Sequence, residues 1–313
     1  MAGLMTEKWR VVDFSQFAGE VHAARGALSV RRESGEEITV PVADVAVVLF
    51  GVETLFTSGC VDRLLKNDIS IVFCDWKGIP TGIASPWSDH SRVGARQISQ
   101  ASLSLPRRKA AWKEVVKAKI NGQAQVLDLF ASNGGDFLRG IAKKVASGDP
   151  TNCEGQAAKY FWNALFGPEG FRRHPGVRDS EFRANSLLDY GYTILRGHAM
   201  RAVIAAGLAP ALGIFHHGRS NAFNLADDLI EPFRPAIDAC VAGMAREEVL
   251  EDRAVRAALV KAAGETFGRT GNSIPAEMTA LAQRFGQYAE GDIERLQVSY
   301  WSPTMALEVE NAE

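Results

Sequence analysis

The 313-residue chain has little cysteine. Its four cysteines, Cys60, Cys74, Cys153 and Cys240, stand far apart with no CxxC pair, which argues against a zinc knuckle or a disulfide framework and predicts buried thiols in a reducing compartment. Long hydrophobic runs are lacking too. No uncharged apolar stretch approaches the roughly 18 residues of a membrane span, and the start MAGLMTEKWR has no apolar centre like that of a signal peptide. The expectation is a cytosolic protein. Nor is there an excess of one charge: 35 Lys and Arg face 37 Asp and Glu, a net charge of -2. That excludes a uniformly basic coat for nucleic acid but leaves room for a local patch. No GxxxxGK[ST] loop, no GxGxxG after a strand and no nucleophile elbow occurs, so P-loop nucleotide hydrolysis and serine-nucleophile chemistry drop out. There is no internal repeat.

What is present changes character near residue 106. WRVVDF, ALSVRRE, ITVPV and VAVVLF are short β-branched runs separated by Gly, Ser or Asp and read as strands. SGCVDRLLKNDI (58–69) has helical spacing at Val61, Leu64 and Leu65, and SIVFCD is a further strand closed by the turn WKGIP. Residues 84–106 show little periodicity. From Pro106 onward apolar residues recur at helical spacing, first in RRKAAWKEVVKAKINGQAQVLDLF, then near 153–166, 182–206, 224–243, 246–264 and 275–296. The expected fold class is therefore α+β in two domains: a β-strand-rich N-terminal domain (1–85), a linker (86–106) and an all-α domain (107–313). The last 24 residues carry Glu290, Asp292, Glu294, Glu308, Glu310 and Glu313 against Arg295, and a solvated, frayed tail is expected.

The densest polar segment is GIFHHGRSNAFNLADDLIEPFRP (213–235). Asn224 can cap a helix carrying Asp227, Asp228 and Glu231. At a spacing of three, Asp228 and Glu231 share a helix face, and two such carboxylates repel unless a cation lies between them or one is protonated. Acids favoured at a helix N-terminus are the plain alternative. Pro232 should kink the helix beside Glu231. His216 and His217 precede this helix, and Glu154 sits in the first turn of CEGQAAKYFW. Together they could form a cation site, although each alone is equally a surface or capping residue. His22, His90, His174 and His198 have no acidic partner at ligand spacing, and Tyr190 and Tyr192 read as core packing. Arg92, Arg96, Arg107, Arg108, Lys109, Lys113, Lys117 and Lys119 gather against only Glu114. They make either a solvated face or a footprint for phosphates.

Jointly, WRVV, IVFCDWKGIPTG, WKEVVKAKINGQA, CEGQAAKYFW, NSLLDYGYTILRGHAMRAVIAAGL and LGIFHHGRSNAFNLADDLIEPFRP resemble the integrase/endonuclease family of CRISPR adaptation over nearly the whole chain. KAKI-x-x-QA and ADDLIEPFRP look most like its type II branch. The resemblance implies a helical catalytic domain, a homodimer held through the N-terminal part, and a larger complex with a small ferredoxin-like partner protein. It also implies a metal site of Glu154, His216 and Glu231 with Asp228 adjacent, holding Mg²⁺ or Mn²⁺. FHHGR offers two histidines. In the family's pattern the ligand follows a Gly and two apolar residues and lies fifteen residues before the Glu of DLxEPFRP, which points to His216 and leaves His217 to face DNA or solvent beside Arg219. The implied reaction is attack of a DNA 3′-hydroxyl on a phosphodiester, or of water in nicking branched DNA, with Arg92, Arg96, Arg107, Arg108, Lys109, Lys113, Lys117 and Arg219 on the DNA. The alternatives are a non-catalytic DNA-binding scaffold of the same complex and a hydrolase of small phosphoesters.

Overall fold

The computed structural model describes residues 10–76, 80–86, 90–131, 134–167, 171, 173, 183–244 and 248–303. His174, Glu308, Glu310 and Glu313 lie outside them. Strand β1 (Arg10–Phe14) pairs parallel with β5 (Val45–Phe50), and β5 with β7 (Ser70–Cys74). An antiparallel edge strand, β8 (Pro80–Ala84), completes this sheet. The second sheet has the order β4 (Glu37–Pro41), β3 (Ala27–Arg32), β2 (Gly19–Ala24), β6 (Thr54–Phe56). VAVVLF is buried at all six positions because β5 is covered on both faces. Val45, Val48 and Phe50 pack toward the second sheet and α1 (Ser58–Lys66), while Ala46, Val47 and Leu49 belong to the helical core.

The chain is thus an α+β fold, strand-rich first and helical after. Its helical part comprises α2 (Val93–Ala101), α3 (Leu105–Phe130), α4 (Gly134–Lys144), α5 (Cys153–Phe166), α6 (Arg183–Ala205), α7 (Asn224–Ile230), α8 (Arg234–Ala242), α9 (Arg253–Ala262) and α10 (Ile274–Glu290). α3 starts with Pro in its first turn, where a missing N–H costs nothing. It buries Trp112, Val115, Val116, Ile120, Ala124 and Leu127 at helical spacing and forms the central strut. α6 crosses the sheet closely at Gly197, where a Cβ would lie 3.0 Å from Val47 Cγ1. The Tyr190 hydroxyl on α6 donates to Asp13 on β1 at 2.5 Å.

Two expectations change. The 86–106 stretch contains α2, whose Arg96 and Gln100 are buried rather than solvated. The stretch shows little periodicity in sequence because these long polar side chains, which mask it, are satisfied internally. Glu290, expected in a frayed tail, is buried and paired with Arg92 at 2.8 Å and Arg96 at 3.1 Å. All four cysteines are free; three are buried and Cys240 half-buried. Burial pushes the Cys60 thiol up to about 11 and Cys74 to about 12. No described helix is long and apolar enough to cross a membrane.

His198, on α6, is buried, and neither ring nitrogen finds a hydrogen-bond partner. Burial pushes its pKa down from 6.5 to about 3. Between those values the unfolded chain takes up a proton that the folded chain does not, so stability falls as pH drops through that window. Urea unfolding should show the wild type losing about 1.6 kcal/mol more than His198→Leu between pH 6.5 and pH 5. Parallel losses in the two proteins would contradict this.

Candidate metal centre and phosphate cradle

Glu154 is placed by a tight turn. Gly148, Asp149 and Asn152 adopt positive φ, tolerated by Gly and by short polar side chains that bond locally. Asp149 then accepts from Cys153 N at 2.8 Å and from Glu154 N at 2.9 Å, while Asn152 accepts from Gly155 N at 3.1 Å. The start of α5 is fixed from both sides, and the Glu154 carboxylate reaches toward α3.

Glu231 opens a three-residue 3-10 turn, Glu231–Phe233, between α7 and α8. This is the kink expected at Pro232, which cannot continue the helical hydrogen bonds. Glu231 is 3% exposed, against 25% for Glu154. The ammonium of Lys119, from α3, lies 2.6 Å from Glu154 Oε1 and 2.6 Å from Glu231 Oε2. Arg234 takes Glu231 Oε1 at 3.1 Å and stacks over the Tyr192 ring at 4.6 Å. Burial alone would raise the Glu231 pKa, but Arg234 and Lys119 outweigh it and hold the carboxyl below its usual range. For Lys119, burial works downward and is overcome by Glu231 and Glu154, so the ammonium is held above its usual range.

The acids of ADDLIE diverge. Asp227 faces Arg196 at 2.7 Å and Asn221 at 2.8 Å. Asp228, fully buried, accepts from the backbone N–H of Ile214 at 2.5 Å, Phe215 at 3.0 Å and His216 at 3.2 Å, and bonds His216 Nδ1 at 2.7 Å. Three backbone donors leave the carboxylate as acceptor, so Nδ1 carries the proton, the Asp228 carboxylate holds the imidazole above its usual range, and no described hydrogen bond engages Nε2. Gly213 makes this possible: a Cβ there would lie 2.2 Å from His216 O and 2.8 Å from Asp228 Oδ2. Contrary to the expectation from sequence, Asn224 does not cap α7. Phe223 holds that position, and the Asn224 amide instead ties the loop together at Ala211 O, Gly218 N, Gly218 O and Asn221 O. From the other side Gln100 of α2 grips Ala209 and Leu212. Phe215 stacks on buried Trp112 at 4.4 Å, and the His216 ring stands edge-on to Trp112. His217 points elsewhere and donates from Nδ1 to Phe215 O at 2.7 Å.

Among the described residues no three Asp, Glu, His or Cys side chains close on one point as a finished cage. The structure does show two carboxylates converging on a single cation, with Glu231 Oε2 at ion-pair distance but outside hydrogen-bond geometry. Oxygen donors and a neighbouring oriented imidazole suit Mg²⁺ or Mn²⁺.

The basic run divides. Arg96 is buried and engages Glu290, Gln283 and Ala206 O; Arg107 binds Tyr288 O and covers the Tyr288 ring. These two serve the fold, and half-exposed Arg92 pairs with Glu290. Lys109 is exposed, and Lys113 and Lys117 are half-buried. Arg108, His217 and Arg219 line one open cavity of about 400 Å³ with His216. Along α3, Arg108, Trp112 and Lys119 fall at i, i+4 and i+11 on a single stripe that runs past this cavity to the carboxylates. Sequence reasoning counted Lys119 as one more surface cation and passed over Arg234. The signal was its phase: Lys119 is seven residues from buried Trp112, on the inward face.

A family model for CRISPR associated protein Cas1 matches residues 15–260. The chain belongs to the Cas1 family. The CRISPR-associated endonuclease Cas1 of Neisseria meningitidis serogroup C is 36% identical over 238 residues, covering 74% of this chain and 75% of that protein. The Cas1 fold is seen as well in a casposase bound to integration product, with TM-score 0.70 and 17% identity over 93% of this chain and 92% of that one. A Cas6-RT-Cas1–Cas2 complex matches with TM-score 0.73 and 18% identity over 95% of this chain and 36% of that chain. The resemblance expected from sequence is borne out at the level of the family.

Proposed function

We propose that this Cas1 family member is a divalent-metal-dependent DNA integrase and endonuclease of CRISPR adaptation. The convergence of Glu154 and Glu231, from separate helices, on one cation carries the reading. Glu154, Glu231 and His216 Nε2 would hold Mg²⁺ or Mn²⁺, which when bound polarises the scissile phosphate and stabilises the leaving 3′ oxygen. Asp228 keeps the His216 ring oriented, and Trp112 and Phe215 wall off one side of the imidazole. Arg108, His217 and Arg219 would hold the phosphates flanking the reacting one, while Lys109, Lys113 and Lys117 extend the cationic track along α3. A 3′-hydroxyl attacking in line gives strand transfer; water gives a nick in branched DNA. Contacts to phosphates do not read bases, so target choice would come from DNA shape and from partner proteins. The deciding experiment is strand transfer of a pre-spacer duplex into supercoiled plasmid with and without Mn²⁺. Product that needs neither metal nor Glu154 and Glu231 would refute the reading.

If Lys109 and Lys113 contact phosphates, replacing both by Ala weakens binding of all duplex sequences alike and lowers the slope of log K against log salt by about 1.8, or about 0.9 per contact. An unchanged slope in a salt titration would make this face merely solvated.

A homodimer formed through the strand-rich part is part of the same proposal, as is a complex with a small ferredoxin-like protein. Support for the dimer comes from β6, an edge strand whose Leu55 and Phe56 are exposed beside exposed Val52. An apolar sheet edge of this kind needs covering. Light scattering at micromolar concentration should give twice the chain mass, and the mass of a single chain would count against it.

A further inference from the structure

Lys119 stands where Glu154 and Glu231 converge, 2.6 Å from an oxygen of each. Its side chain is only 12% exposed, so the ammonium is not a solvated charge that strays into the site. Two anions, Glu154 and Glu231, are paired with two cations, Lys119 and Arg234, so the paired charges balance; Asp238, which accepts from the Tyr192 hydroxyl beside these cations, is pushed up to about 7 by burial and adds little fixed charge. The two cations are held differently. Arg234 is fixed by stacking on Tyr192 and by Glu231 Oε1. Lys119 is a point charge on a flexible stem, able to leave by changing rotamer. A dication entering beside both would leave an uncompensated positive charge in a buried place, which is costly. The lysine is the member that can give way.

We propose that Lys119 is a tethered counter-cation: it holds the Glu154–Glu231 pair together in the metal-free protein and yields its place when a divalent cation binds. This rests on the reading of Glu154 and Glu231 as metal ligands. It makes metal binding a competition with a residue of the same chain, so the site stays assembled without metal and its affinity is set below what the two carboxylates and the imidazole could reach.

The test is calorimetric titration with Mn²⁺ of the full chain, comparing wild type with Lys119→Met, Lys119→Gln and Glu154→Gln, alongside thermal unfolding in EDTA and in Mn²⁺. Both lysine variants should bind Mn²⁺ about tenfold more tightly than wild type, because the competing charge is gone. They should also melt at lower temperature in EDTA and recover in Mn²⁺. Affinity equal to or weaker than wild type overturns the proposal; a residue that merely orients ligands would give about 10- to 100-fold weakening. A variant that folds only with Mn²⁺ supports it, since the dication then replaces the ammonium, and one unfolded at every Mn²⁺ concentration overturns it. Glu154→Gln separates the two levels. If it leaves Mn²⁺ binding unchanged, the metal-site reading itself fails; if it weakens binding while the lysine variants bind like wild type, only the role of Lys119 fails.

Discussion

Glu231→Gln should reduce strand transfer by about 10²- to 10³-fold or more, the scale on which removal of a single group stabilising transition-state charge is felt. The amide keeps the size of the side chain and one acceptor oxygen, which can serve Arg234 or Lys119 but not both positions, so the turn at Pro232 should survive at a smaller stability cost than truncation. Glu231→Ala is a poorer probe. With Glu231 3% exposed and paired to two cations, truncation leaves Lys119 and Arg234 facing a buried gap, at a cost of about 3–5 kcal/mol. Glu154 is partly accessible, whereas Glu231 is not. Glu154→Gln, on a side chain with more solvent around it, should cost a similar factor in activity and little in stability. Strand-transfer assays across a Mn²⁺ titration, with circular dichroism and duplex binding as controls, measure all three quantities. Integration by Glu231→Gln at the wild-type level under saturating Mn²⁺ would remove the residue from the site.

The second large effect separates neighbouring histidines. His216→Ala should cost metal-dependent activity by orders of magnitude, whereas His217→Ala should act mildly and mainly on DNA affinity. The geometry sets the ranking: Asp228 orients His216 through Nδ1, and His217 is turned away onto Phe215 O. Asp228→Ala should combine a catalytic and a stability defect, because three backbone N–H groups lose their acceptor together with the His216 ring. A buried donor left unsatisfied costs about 1–3 kcal/mol. Chemical denaturation and the same strand-transfer assay distinguish the classes. A greater loss in His217→Ala than in His216→Ala would reassign the imidazole.

Much of this architecture was legible because it is periodic. VAVVLF announces a buried strand, and the spacing of Trp112, Val115, Val116 and Ile120 announces α3. Strands β2, β6 and β8 were not read: TLF is too short for a pattern, and GEVHAA and PTGIA carry residues with weak strand preference that pairing partners hold in place. At the site, residue type was visible and destination was not. Asp227, Asp228 and Glu231 look interchangeable as helix acids, yet one faces Arg196, one the His216 loop and one Lys119. In the same way Arg96 and Lys113 look alike in a cationic run, although only tertiary contacts decide that Arg96 turns inward onto Glu290. Composition reports how many charges there are. Their partners are set by elements far away in the chain.

Lys119, Glu154, His216 and Glu231 come from α3, α5, the loop before α7 and the turn after it. A nascent chain that has not yet emerged past Glu231 therefore lacks part of the proposed centre, whatever helices it has already formed, since long-range contacts close last. The same arrangement acts in the finished molecule. Local opening of α5, or of the loop that Asn224 and Gln100 hold shut, separates the carboxylates or the imidazole without requiring the strand-rich part to open. On the proposed reading of the site, that is a safeguard in a DNA-cutting protein: cutting capacity would arrive and depart with the complete fold.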